Sequence, residues 1–135
     1  MKSTIDARLK LMGLWITLMF LYVYCDIYSF HRTGYVDEVI AGMIGPFEVS
    51  QGILVVFGAL MIVPALMVTV CLFLKPLISR RINIAAGIVY TIVNIANLAG
   101  ETWLYYWIFG ALETAFTICI IIVSVKWAKK ESSHV

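Results

Sequence analysis

Four long apolar runs, at residues 11–30, 47–74, 82–103 and 106–127, take up most of the chain, and the charged residues fall mainly between or beside them. A helix needs about 20 predominantly apolar residues to cross the hydrocarbon core of a bilayer, so each run is long enough to span one. The pattern predicts an all-α polytopic membrane protein, a four-transmembrane-helix bundle forming a single transmembrane domain over residues 1–135. Between the first two runs, Val36, Val39, Ile40, Met43 and Ile44 recur at helical spacing against Asp37 and Glu38. That spacing predicts a short external amphipathic helix, with a plain surface loop as the alternative. Gly45-Pro46 is placed to end this segment and start the second span, since proline suits a first helical turn. Pro64 interrupts the second run, where it frees a backbone carbonyl and permits a kink. The segment from Lys75 to Arg81 reads as a tight turn, with Asn83 at the start of the following helix.

Composition agrees with the pattern. Hydrophobic residues make up 62% of the 135 and charged ones 13%, against about 45–50% and about 25% in a typical soluble domain. The net charge of +2 matters less than its distribution. Lys2, Arg8 and Lys10 precede the first run, Lys75, Arg80 and Arg81 separate the second from the third, and Lys126, Lys129 and Lys130 close the fourth. With four spans these groups share one side, and the positive-inside rule places both termini in the cytoplasm. Each basic group is short and abuts a span, which argues against a nucleic-acid partner and leaves membrane lipids as the expected surroundings. Met1 to Asp26 has no small-residue cleavage site before Cys25 and reads as a retained span. Cys25, Cys71 and Cys119 form no Cys-x-x-Cys pair, so thiol–disulfide relay chemistry lacks its parts. His31 stands alone, and no cofactor or metal pattern is present.

The chemistry-bearing residues collect in the outer half. Asp26, Glu48, Glu101 and Glu113 come one from each span, joined by Gln51, Asn94 and Asn97. Asn94, Asn97 and Glu101, spaced three and four apart, predict one polar stripe on the third helix. Tyr22 lies four residues before Asp26, on the same face, as a candidate hydrogen-bond partner. Trp103 and Tyr106 supply part of an aromatic wall. An ionised side chain deep in a membrane helix costs roughly 2.5–3.5 kcal/mol on insertion scales, so such groups normally face protein, water or a ligand. Carboxylates inside an aromatic wall suit a cation, held by charge and by ring quadrupoles. The leading expectation is an outward-facing pocket made of Asp26, Glu48, Gln51, Asn94, Asn97, Glu101, Glu113, Tyr22, Trp103 and Tyr106. It would bind, and in a transporter move, protons or a cationic or amphipathic small molecule. Two alternatives stand beside it: an accessory protein whose polar residues only hold the helices together, and a small enzyme using two carboxyls as acid and base on a lipid-soluble substrate. A homodimer is compatible with any of these.

Several segments carry a resemblance: Leu14-Trp15-Ile16, Tyr24-Cys-Asp26-Ile-Tyr-Ser-Phe30, Pro64-Ala-Leu-Met67, Arg81-Ile-Asn83-Ile and Tyr105-Tyr106-Trp-Ile-Phe-Gly-Ala-Leu-Glu113. Over most of its length the chain resembles a family of small bacterial four-span proteins catalogued as a domain of unknown function. The resemblance implies four spans in the inner membrane. It also implies that Asp26, Asn83 and Glu113 are recurrent polar positions, and it brings no activity with it.

Overall fold

The computed structural model describes residues 2–132, and the side chains of residues 7–127 within them. The side chains of Lys2, Lys129 and Lys130, and the tail residues 133–135, lie outside the described residues. The chain forms α1 (Lys2–Ser29), α2 (Tyr35–Ile40), β1 (Met43–Ile44), β2 (Phe47–Glu48), α3 (Gln51–Phe73), α4 (Pro76–Asn97) and α5 (Leu104–Ser132). Three stretches, Ala7–Ser29, Gln51–Phe73 and Leu104–Trp127, are long and apolar enough to cross a membrane. The third expected span, α4, has comparable length but carries Arg80, Arg81, Asn83, Asn94 and Asn97, and by composition it is not among them.

The helices pack along seams whose spacing is legible in the sequence. On α1 the buried positions Leu11, Trp15, Leu18, Tyr22, Cys25 and Ser29 alternate four and three apart. On α5 Glu113, Thr117, Ile120, Ser124 and Trp127 do the same. This is the 3.5-residue repeat of helices crossing at a shallow angle. The seams are unusually polar, with Ser79, Asn83, Asn94, Glu113, Thr117 and Ser124 buried, while Phe20, Val55, Ile62, Phe73 and Leu104 face outward. Apolar outside and polar inside is the arrangement that lipid favours, because lipid tails offer no hydrophobic drive for association and buried hydrogen bonds hold helices together.

α1 lies against α3 and α5, α4 lies against α5, and α3 touches α4 only lightly. α1 and α4 therefore meet across the middle through long side chains. The Trp15 Nε1–H donates to Asn83 Oδ1 at 2.7 Å, and the Tyr22 hydroxyl donates to Asn94 Oδ1 at 2.8 Å. Between α4 and α5 the Thr91 hydroxyl donates to that of Thr117 at 2.8 Å. Gly87 permits that approach, since a Cβ there would sit 2.7 Å from Ile121 Cγ1.

α3 is buried in its second half only. Its buried residues are Pro64, Met67 and Cys71, and no residue before Pro64 is buried. At its far end Arg8 donates to the carbonyls of Leu72 and Leu74, satisfying the last carbonyls of the helix.

The structure corrects three local expectations. Met43 and Ile44 do not continue the amphipathic helix. After α2 the chain turns into a hairpin in which Met43 pairs with Glu48 and Ile44 with Phe47. Gly45, at φ 55, and Pro46 form its two-residue turn, with glycine first as a type II′ turn requires; the second span consequently starts at Gln51 rather than Phe47. The turn before α4 is only Leu74-Lys75: Pro76 occupies the first helical turn, so Arg80 and Arg81 are already helical and Asn83 lies two turns in. Finally, α4 stops at Asn97 instead of reaching Trp103. Gly100 takes a left-handed conformation, φ 79, and the amides of Leu98 and Ala99 reach back only three residues, the usual way a helix ends at a glycine.

Candidate functional site

A cavity of about 70 Å³ opens between the helices, towards the end that carries the α1–α2 and α4–α5 connections. α1 contributes Tyr22, Cys25 and Asp26 to its wall. α4 contributes Tyr90, Asn94 and Asn97, at the four-then-three spacing that keeps them on one face. α5 contributes Tyr106 and Glu113, two turns and roughly 10 Å apart along the axis. Met61 is the contribution of α3.

The back of the cavity is deep and its rim is open. Tyr22, Asn94 and Glu113 are buried, whereas Asp26, Met61 and Asn97 are exposed. Asn94 spends its Oδ1 on Tyr22, which leaves Nδ2 a buried donor with no partner among the described residues. Tyr22 therefore bonds across to α4 and not to Asp26, the partner its spacing had offered. Neither Asp26 nor Glu113 has a salt bridge among the described residues, where the ion pair formed is that of Arg32 with Glu101.

That ion pair makes a second cluster above the cavity. Arg32 Nη1 donates to Glu101 Oε2 at 3.0 Å and Nη2 to Oε1 at 3.2 Å, a two-pronged pairing that fixes geometry as well as charge. The guanidinium lies 5.1 Å from the ring centre of Trp103 and 6.0 Å from that of Tyr105, within reach of cation–π attraction. The Ser29 and Tyr105 hydroxyls meet at 2.9 Å just below. Burial raises the Glu101 carboxyl, but the amides of Trp103 and Thr102 and the Arg32 guanidinium outweigh it and hold the group below its usual range. The cluster ties the α1–α2 connection to the α4–α5 connection.

Of the ten candidate residues, the cavity therefore brings together Tyr22, Asp26, Asn94, Asn97, Tyr106 and Glu113. The other four lie elsewhere. Glu48 sits on the exposed hairpin, Gln51 opens α3 at an exposed position, and Glu101 and Trp103 belong to the Arg32 cluster. The convergence of four acids expected from the sequence reduces to two. Glu101 is displaced from the Asn94–Asn97 stripe because α4 ends before it. Tyr90 and Cys25 also line the cavity and were absent from the candidate set. Both were within reach of spacing, since Tyr90 precedes Asn94 by four residues and Cys25 follows Tyr22 by three. Met61 carried no such signal, because only the packing of α3 brings it to the wall. Among the described residues no group of three or more His, Cys, Asp or Glu side chains is placed to hold a metal ion.

The chain belongs to a family of unknown function (DUF6326), matched over residues 4–134. No curated protein and no solved structure matches it.

Proposed function

We propose that this member of the family is a four-span membrane protein with both termini on the cytoplasmic side, and that its outer cavity binds a cationic group between Asp26 and Glu113. The observation that carries the reading is a charge imbalance. Two carboxyls open onto one cavity in the membrane-spanning region, while Arg32, the only Lys or Arg between residues 11 and 74, is already committed to Glu101. Carboxyls in such a place normally answer to a partner, and a cation or a proton supplies one. Tyr22, Tyr90 and Tyr106 add ring faces and hydroxyls to the same wall, a surrounding that suits a small ammonium ion. Exchange of a proton for the cation at these carboxyls is the chemistry through which binding would couple to movement across the membrane.

α4 supports the four-span part of the reading. Its 22 residues extend about 33 Å, enough for a hydrocarbon core of about 30 Å. Its polar side chains Asn83 and Asn94 bond inward to α1, while Ile88, Val89, Ile92 and Ile95 face outward.

The test is titration of the purified protein in lipid nanodiscs with methylammonium, followed by tryptophan fluorescence and thermal unfolding. Binding should be saturable, at least tenfold weaker in Glu113→Gln and Asp26→Asn, and unchanged in Glu48→Gln. Equal binding by wild type and Glu113→Gln would end the proposal.

A second reading has its own support: the Tyr22–Asn94 bond uses two cavity groups to join α1 to α4. If holding helices together is the whole role, no probe binds, and Glu113→Gln alters only the unfolding temperature.

A further inference from the structure

We infer that the cavity is reached sideways from the outer leaflet, and that its ligand is a single-chain cationic amphiphile with a small primary-amine head. The head would sit between Asp26 and Glu113, and the tail would stay in lipid along the unburied half of α3. The inference rests on the cation-binding reading and adds to it the access route and the ligand class.

The route follows from which walls are complete. Above the cavity, the Ser29–Tyr105 contact and the two-pronged Arg32–Glu101 pair bridge the chain connections. The back wall is buried, with Tyr22, Asn94 and Glu113 all at 8% exposure or less. The open rim consists of Asp26 on α1, Met61 on α3 and Asn97 on α4. It is open because α3 buries no residue before Pro64. Met61 lies ten residues into α3, roughly 15 Å below the outer end of that helix, which is about half the depth of the hydrocarbon core. Asp26 lies three residues from the end of α1, roughly 4–5 Å below it. The mouth thus runs from the interface down into the oily layer. The side chains beside it, Val23, Ile27 and Ile62, are exposed and apolar. Water-soluble ions meet the bridged end, and molecules dissolved in the leaflet meet the open side.

Size selects the head. The cavity, about 70 Å³, is about half the ~150 Å³ that admits benzene and far below the several hundred of an ordinary drug site. It has room for an ammonium group and the first methylenes. The unpartnered Nδ2 donor of Asn94 leaves space on the same wall for a hydroxyl or a bound water next to the amine.

The experiment compares methylammonium, dodecylamine, dodecyltrimethylammonium and dodecanol on the protein in nanodiscs, alongside Met61→Trp, which narrows the mouth and keeps both acids. Dodecylamine should bind at least tenfold more tightly than methylammonium, after correction for its partitioning into protein-free nanodiscs. It should also bind more tightly than the bulkier trimethylammonium head, with dodecanol failing to compete. Met61→Trp should weaken dodecylamine at least tenfold, and by a larger factor than it weakens methylammonium. Equal affinity for methylammonium and dodecylamine would overturn the lateral route while leaving the cation site standing; failure of both amines would remove both. Efficient disulfide cross-linking of Met61→Cys between copies in native membranes would show a second copy of this chain covering the mouth, and would also overturn the inference.

Discussion

The Tyr90 hydroxyl donates at 2.7 Å to the carbonyl of Leu60, the oxygen that Pro64 leaves without its helical amide partner. In an α-helix the amide at position 64 would bond the carbonyl at position 60, and proline has none to give. A side chain of α4 thus repairs a defect in α3 at the point where α3 begins to leave the bundle. Tyr90→Phe should cost about 1–2 kcal/mol, the usual penalty for an acceptor stripped of its partner in a dry site. In a Pro64→Ala background the alanine amide takes over the carbonyl, and the same change should cost markedly less. A double-mutant cycle on thermal or denaturant unfolding measures the difference, and additive costs would refute the coupling.

Gly87 and Gly13 separate packing from helix propensity. A Cβ at Gly87 would stand 2.7 Å from Ile121 Cγ1 and 3.4 Å from the Thr117 carbonyl, whereas at Gly13 nothing lies within 4 Å. Gly87→Ala should therefore destabilise by roughly 1–3 kcal/mol as α4 and α5 are forced apart. Gly13→Ala should be neutral or slightly stabilising, since alanine is the better helix former by up to about 1 kcal/mol. Unfolding temperatures in one detergent decide the comparison, and equal effects would mean that α4 and α5 are not pressed together at Gly87.

The helices and their inward faces were legible because burial follows heptad spacing on α1, α4 and α5, and spacing is a sequence property. Asn94 and Asn97 reached the cavity for that reason, as did Tyr22 and Asp26. What failed was the use of apolar runs to set helix ends. Run length says where lipid is tolerated, and a glycine in the left-handed region says where a helix stops. Leu98-Ala99-Gly100 remains apolar while the helix has already ended, and so Glu101 was assigned to the wrong stripe. Gly45-Pro46 misled in the same way, because a hairpin turn and a helix start share those residues. The pairing of Glu101 with Arg32, 69 positions apart, has no local signature.

That pairing makes part of the stability depend on acidity. Glu101 lies outside the apolar helices, and its carboxyl is held below the ordinary range. A group depressed in the folded state contributes fully above its unfolded value, about 4.3, and that contribution is lost as pH falls through the lower folded value. Wild-type stability should accordingly be flat from pH 7 to about 5 in this respect and drop by about 1 kcal/mol below pH 4. Glu101→Gln should start lower at neutral pH and lack that portion of the acid loss. Unfolding measured at pH 3, 5 and 7 for both proteins tests it, and parallel curves would show that the pair contributes nothing.

The place of α4 in the membrane decides whether the cavity is enclosed by a bundle at all. Average composition disfavours it as a span, yet averaging ignores direction: Asn83 and Asn94 accept hydrogen bonds from Trp15 and Tyr22 on α1, and the isoleucine-rich face turned outward is the one lipid would meet. A helix whose polar groups bond inward presents lipid with an apolar surface whatever its mean. In a variant with Cys25, Cys71 and Cys119 replaced by alanine, Arg81→Cys should react with a membrane-impermeant maleimide only from the cytoplasmic side, and Thr102→Cys only from outside. Ile92→Cys should be shielded from both. Reaction of Arg81→Cys and Thr102→Cys from one side would place α4 on the surface, open the cavity to water along its length, and remove the physical reason for its acids to require a cation.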